Sequence, residues 1–229
     1  LLKRAVKVDG IEWVRLLYLY PNRITKNLIR LMRDEEKICK YIDMPIQHIN
    51  NRVIKAMNRN ITKAQIEDTI GLIRQEMPGV VLRTSLIVGF PGESEEEFDE
   101  LLDFVKATQF DRLGVFKYSK EEGTPAYKMK GQVPEAVKKV RLRKIMEAQA
   151  KIAGEKNRLL VGSAIQVLVE GVSEETEFLL KGRSMQQAPD NIDGITYINK
   201  GIASPGDIAD VIITDAGEHD IVGGIMQHR

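Results

Sequence analysis

Apolar positions recur along the chain in two rhythms, and the change from one to the other divides it. Val80, Val81, Leu82, Leu86, Ile87 and Val88 form an apolar, largely β-branched run, interrupted by Arg83-Thr84-Ser85 and stopped by Gly89, Pro91 and Gly92. This predicts a strand buried on both faces that ends in a tight turn. Ser94-Glu95-Glu96-Glu97 follows as a capping box, opening a helix over 95–108. The same grammar predicts strands over 12–20, 39–46 and 110–118. It predicts helices over 24–37, with Ile24, Leu28, Leu31 and Met32 on one face, and over 52–57 and 63–77. Strands alternating with helices predict an α/β fold with a parallel sheet and right-handed crossovers. Four βα units are present where a complete barrel has about eight. Either the sheet is open or further units precede Leu1.

Residues 134–160 read as one long helix with Pro at its first turn. Leu142, Ile145, Met146, Ile152 and Ala153 form its apolar stripe, interrupted by Gln149. Lys138, Lys139, Arg141, Arg143, Lys144, Lys151, Lys156 and Arg158 decorate the rest, either as a solvated face or as a contact to phosphate backbone. After Gly162 the rhythm changes to short runs over 164–169, 177–181, 195–199, 208–214 and 220–226, separated by Gly, Pro, Asn or Asp. These predict a small all-β barrel of the five-stranded OB type. The expected domains are 1–160 and 161–229, with the boundary between Leu159 and Gly162.

Charge sharpens that division. From Leu160 onward, four basic residues (Lys181, Arg183, Lys200 and Arg229) face eleven acidic ones, a net of −7. The preceding part carries 30 basic and 22 acidic residues, a net of +8. No apolar run approaches membrane-spanning length, so no membrane partner is expected. Cys39 is the single cysteine, which excludes a disulfide framework and a cysteine-rich metal site within these residues. A reducing, cytoplasmic compartment is the expectation. The chain begins without Met and within a helical pattern, and is read as a piece of a longer one.

Phosphate-loop, zinc-protease and nucleophile-elbow motifs are absent. The chemical signal is distributed instead. Polar residues recur at the carboxyl ends of successive predicted strands: Arg15 and Tyr18; Gln47 and His48; Arg83 to Ser85; Lys117, Tyr118 and Ser119. In a parallel α/β sheet such ends converge on one mouth. A buried Arg is costly unless paired, so Arg83 is either a ligand-binding group or the partner of a structural carboxylate. His48 is either a base or an ordinary hydrogen-bonding loop residue.

Asp43-Met-Pro-Ile-Gln-His48, Arg83-Thr-Ser-Leu-Ile-Val-Gly-Phe-Pro-Gly-Glu93 and Val115-Phe-Lys-Tyr-Ser-Lys-Glu-Glu-Gly-Thr-Pro-Ala126 together resemble the radical S-adenosylmethionine methylthiotransferases, with the acidic barrel as their TRAM domain. Gly182-Arg183-Ser184, Ala188-Pro189 and Ile192-Asp193-Gly194 are similar to the branch that modifies a ribosomal protein. The resemblance implies insertion of a sulfur and a methyl group at the β-carbon of an aspartate in the twelfth small-subunit ribosomal protein. It implies part of a (β/α)6 partial TIM barrel, of which the four units here are the third to sixth. It also implies S-adenosylmethionine and two 4Fe–4S clusters. One cluster, held by CxxxCxxC, cleaves the cofactor to a deoxyadenosyl radical, and the other supplies sulfur. None of those cysteines is in this sequence, so they are expected upstream and the polypeptide alone is expected to be inactive.

By match to the family's barrel, Arg15, Gln47, Arg83, Thr84 and Tyr118 are the candidates for the cofactor pocket. Arg83 or Arg15 would face the cofactor carboxylate, Gln47 and Thr84 its amino or ribose groups, and Tyr118 the adenine. Lys181 and Arg183 are candidates for substrate contact, or are merely solvated strand-end residues. Two alternatives stand beside this reading. The sister branch, MiaB-like enzymes, methylthiolates an adenosine in transfer RNA, but an acidic barrel is poorly suited to RNA and better suited to a basic ribosomal protein, free or in the ribosome. A non-catalytic binding module is the other, if no cluster cysteines lie upstream.

Overall fold

The computed structural model describes residues 1–226. It divides into two compact units, Leu1–Gln149 and Ala150–Arg229. In chain order the elements are α1 (Leu2–Ala5), β1 (Val14–Leu16), α2 (Lys26–Asp34), β2 (Ile38–Asp43), α3 (Asn51–Ala56), α4 (Lys63–Glu76), β3 (Val81–Val88), α5 (Glu95–Thr108), β4 (Arg112–Lys117) and α6 (Glu135–Arg158). Strands β5 (Ala164–Val172), β6 (Leu180–Ser184), β7 (Thr196–Lys200), β8 (Ile208–Ala216) and β9 (Ile221–Ile225) follow. The helix α6 runs through the boundary between the units.

The first unit is built on a four-stranded parallel sheet in the order β1-β2-β3-β4. Register assigns its two faces. Ile42 lies beside Leu82 and Asp43 beside Arg83, so Ile38, Lys40, Ile42, Leu82, Thr84, Leu86 and Val88 share one face. Lys40 Nζ caps the carboxyl end of α2 through the Met32 and Glu35 carbonyls, which identifies this as the helix-covered face. Leu82, Thr84, Leu86 and Val88 are all buried there. The opposite face carries Arg15, Tyr41, Asp43, Arg83, Ser85, Arg112, Gly114 and Phe116. The alternation explains how polar Arg83-Thr84-Ser85 fits in an apolar strand.

Helix ends follow local chemistry. The Ser94/Glu97 capping box is present at α5, and Thr62/Gln65 forms a second at α4. The predicted first strand over 12–20 contracts to Val14–Leu16, because Tyr18 turns into the left-handed region at φ 57°. The predicted helix over 24–37 contracts to α2, capped by Thr25. It buries Ile29 and Met32 fully, while Leu28 and Leu31 are half-buried. On α6, several cations are engaged within the first unit. Lys138 donates to the Tyr118 carbonyl, and Arg141 binds Glu93 and Glu95. Gln149, which breaks the apolar stripe, is buried with its amide on the Phe110 carbonyl. Lys139, Arg143, Glu147, Lys151, Glu155 and Arg158 form the exposed, mixed-charge side expected of a solvated face.

The second unit contains a closed barrel, β5-β6-β7-β9-β8, around Val167, Val169, Ile198, Val211, Ile213 and Ile221. Gly182 and Gly223 face inward, where a Cβ would collide with the neighbouring strand. The residues between β6 and β7 are organised by Gln187, which is fully buried. Its Oε1 accepts from the Ser184 amide (3.0 Å), the Ser184 hydroxyl (3.2 Å) and the Thr196 hydroxyl (2.6 Å). Its amide donates to the Gly194 carbonyl (3.2 Å). Asp193 accepts from the Ala188 amide (2.9 Å). The Gly-Arg-Ser to Ile-Asp-Gly stretch is therefore held by its own buried polar network.

Candidate cofactor site

The polar face of the sheet centres on one ion pair. Arg83 Nη1 donates to Asp43 Oδ1 at 2.9 Å, with the two side chains 11% and 1% exposed. Asp43 Oδ2 accepts from the Tyr18 amide at 3.0 Å. One carboxylate on β2 thereby ties β3 to the turn after β1. Arg15 lies over the Tyr41 ring, 4.4 Å from its centroid, a cation–π contact that holds a second guanidinium on this face. The other edge of the Arg83 guanidinium looks toward β4. Its Nη2 lies 3.8 Å from where a Gly114 Cβ would stand, and the Phe116 ring comes within 3.5 Å of the same point. Gly114 is the space over which Arg83 and the exposed Phe116 approach each other.

The Asp43-Met-Pro-Ile-Gln-His48 segment is a strand that leaves the ladder and returns. The Met44 amide donates to the Arg83 carbonyl at 2.9 Å. Pro45 has no amide to continue the pairing. Thr84 fills the gap: its hydroxyl donates to the Met44 carbonyl (2.9 Å) and accepts from the Ile46 amide (3.3 Å). The ladder resumes at Gln47, whose amide donates to the Ser85 carbonyl and whose carbonyl accepts from the Ile87 amide. Gln47 does this at φ 69°. Left-handed residues thus follow the first three strands, at Tyr18, Gln47 and Gly89, and two of them are not glycine. Such strained positions cluster where a ligand is held.

His48 is fully buried, and its Nδ1 accepts from the Asn50 amide at 3.0 Å. Burial lowers its pKa to about 4. Its Nδ1 is committed, through the Asn50 amide, to the turn that leads into α3. The Gly89-Phe90-Pro91-Gly92-Glu93 turn is likewise self-supporting. Glu93 accepts from the Gly89 and Phe90 amides and pairs with Arg141 at 3.1 Å. Burial pushes its carboxyl pKa up, against the pull of Arg141.

Among the candidate residues, Arg15 and Arg83 share the polar face, joined through Tyr41 and Asp43. Thr84 faces the helices and its hydroxyl is committed to the Met44–Ile46 backbone. Gln47 sits in the left-handed turn at the end of β2. Tyr118 follows β4 with both backbone groups engaged, its amide on the Val88 carbonyl and its carbonyl on Lys138. Its ring meets Phe90 edge-on at 5.3 Å and lies beneath Lys138 Nζ, 5.1 Å from the centroid, and its hydroxyl is buried. In the barrel, Lys181 pairs with Glu174 at 2.7 Å and Arg183 with Glu170. Sequence reading missed Asp43 and Gly114. Asp43 was visible as a carboxylate in an apolar strand, but its register with Arg83, 40 residues away, was not.

Comparison with known proteins agrees with this architecture. The family model of the radical SAM superfamily matches residues 1–105, and that of the TRAM domain matches residues 161–226. A curated relative from Geobacter sulfurreducens, named ribosomal protein uS12 methylthiotransferase RimO, is 54% identical over 226 residues, covering 99% of this chain and 50% of the relative. One of the same name from Pelobacter propionicus is 55% identical over 227 residues, with the same coverages. The chain spans about half the length of the curated relatives it matches. Among solved structures, the radical SAM enzyme coproporphyrinogen III oxidase (HemN) of Escherichia coli aligns over 76% of this chain and 46% of its own, with a TM-score of 0.52 at 16% identity, a likeness of fold alone. The chain thus matches the radical SAM superfamily over residues 1–105 and the TRAM domain over residues 161–226, and across 99% of its length it is similar to about half of curated relatives named RimO.

Proposed function

We propose that the whole protein is a radical S-adenosylmethionine methylthiotransferase that modifies the β-carbon of an aspartate in ribosomal protein uS12. The observation that carries this reading is the 54% identity to RimO of Geobacter sulfurreducens across 99% of the chain. The substrate named for those relatives is a ribosomal protein, which makes the cytoplasm the place of action.

Arg15 and Arg83 suit the cofactor's carboxylate, because a guanidinium offers a planar fork of donors that matches it. This reading assigns Gln47 and Tyr118 to the same mouth, and Thr84 to its support, through its hold on the Met44–Ile46 backbone. When bound, S-adenosylmethionine supplies the adenosyl group for radical chemistry and the methyl group. The residues present do not suit an iron–sulfur cluster: the sequence has one cysteine, Cys39, which is buried, and the described residues contain no group of metal ligands. The cluster ligands are therefore assigned to the part of the relatives that this chain does not span.

The barrel favours a protein substrate over transfer RNA. Its net charge is −7 from residue 160 onward, and Lys181 and Arg183 are already neutralised by Glu174 and Glu170. RNA affinity requires cations directed at phosphates. In this reading Lys181 and Arg183 touch a protein substrate at the edge of that paired surface. The test is anaerobic reconstitution of the full-length protein with iron, sulfide, reductant and S-adenosylmethionine, offering a uS12 peptide and unmodified transfer RNA in parallel. A methylthio group on the peptide's aspartate, found by mass spectrometry, is the expected result. The same mass on adenosine would move the protein to the sister branch.

A further inference from the structure

We propose that Asp43 is the positioning residue of the cofactor site, holding Arg83 in the orientation that receives a ligand carboxylate. The inference rests on reading the polar sheet face as the S-adenosylmethionine site. Asp43 is 1% exposed, and both of its carboxylate oxygens are engaged in the fold: Oδ1 takes Arg83 Nη1 at 2.9 Å and Oδ2 takes the Tyr18 amide at 3.0 Å. Its carbonyl accepts from the Leu19 amide at 2.8 Å. One residue thus fixes the left-handed turn after β1 and the guanidinium on β3 together.

Without that anchor, a long arginine side chain samples many rotamers, and ordering it on ligand binding costs affinity. With it, one edge of the fork is fixed and Nη2 is turned toward the gap left by Gly114 beside Phe116. A carboxylate approaching over Gly114 meets a guanidinium already in place. Asp43 touches no ligand in this arrangement. Its contribution is made through Arg83, so it should be felt by ligands that carry the carboxylate and not by those that lack it.

Two adenosine probes separate these cases. S-adenosylhomocysteine carries the amino-acid carboxylate, and 5′-methylthioadenosine keeps the adenosine and thioether without it. Binding to the full-length, cluster-reconstituted protein is measured by calorimetry for the wild type, Asp43→Asn, Asp43→Glu and Arg83→Ala. Asp43→Asn is expected to weaken S-adenosylhomocysteine by about tenfold or more, the scale of one charge-assisted fork. It should leave methylthioadenosine and the cluster absorbance unchanged. Asp43→Glu, which keeps the charge at a longer reach, should restore part of the loss.

Equal weakening of both probes by Asp43→Asn would reduce Asp43 to a fold element and overturn the proposal, as would no weakening of either. If Arg83→Ala discriminates between the probes and Asp43→Asn does not, positioning fails while the site reading stands. If Arg83→Ala does not discriminate either, the site reading itself fails. Should Asp43→Asn not fold, Asp43→Glu carries the same test, with selective weakening of S-adenosylhomocysteine expected and equal effects on both probes overturning the proposal.

Discussion

His48 lies in a loop, yet the ring is fully buried, and the amide it accepts at Nδ1 places the proton of the neutral ring on Nε2. Burial lowers its folded pKa to about 4, from an ordinary value of 6.5. The unfolded chain therefore binds a proton first as the solution is acidified. Stability from this residue is full above about pH 6.5, falls as pH drops through the window to about 4, and then levels off. The whole loss is about 3 kcal/mol. Urea unfolding between pH 7 and 4.5 should show this slope, and His48→Asn, which retains an acceptor for Asn50, should flatten it. Equal slopes in the two proteins would place the acid sensitivity elsewhere. Gly89 is a second residue with a legible cost. Its φ of 74° and the Lys138 stem packed where a Cβ would stand both oppose a side chain. Gly89→Ala should cost about 2 kcal/mol or more, combining backbone strain with the contact. In a double-mutant cycle of unfolding free energies, Lys138→Ala should recover the contact part. Zero coupling would assign the entire cost to the backbone.

At the scale of elements, the two motif-rich stretches are held in different ways. The 43–48 segment borrows a hydroxyl from β3 to bridge the residue whose amide proline removes. The stretch between β6 and β7 carries its own side-chain hub in Gln187. Removing a hub strands several buried groups at once, whereas removing a spoke strands one. Gln187→Ala should therefore destabilise the barrel by about 3 kcal/mol, and Thr196→Val by about 1 kcal/mol, because the latter leaves most of the network intact. Denaturant melts followed by a probe of the barrel would check the order. Comparable losses for the two variants would show that Gln187 is not the centre of the network.

Across the whole molecule, charge is segregated along the sequence and then spent locally. On the first unit, Arg52 forks Glu97, Arg83 binds Asp43, and Arg141 bridges Glu93 and Glu95. On the barrel, Glu170 and Glu174 pair with Arg183 and Lys181. Replacing those two glutamates by glutamine removes two negative charges and releases the basic side chains. The double variant should acquire transfer-RNA affinity that the wild type lacks, with a salt dependence steeper by about one to two phosphate contacts. Binding measured at several salt concentrations would decide it. No change would show that the barrel's overall acidity, rather than these two pairs, excludes RNA.

The sequence by itself determined the order of elements, because their determinants are local. The Ser94–Glu97 box set the start of α5, and Pro78-Gly79 and Gly89-Phe90-Pro91-Gly92 bounded β3. Glycine and proline punctuation after Gly162 marked the five barrel strands, although β5 and β8 extend beyond their predicted ends, β6 is shifted from 177–181 to Leu180–Ser184, and β7 is shifted by one residue. The polar mouth was legible as a recurrence, and Arg83 as a cation in need of a partner. Which carboxylate answered it was not, since pairing across a parallel sheet depends on a register set by the packing of helices between the strands. The same packing turned Thr84 to the helices and Arg83 to the opposite face, buried His48, and ended β1 at Leu16 where the Tyr18 amide finds Asp43. Those outcomes depend on groups brought together from distant parts of the chain, and only the tertiary structure decided them.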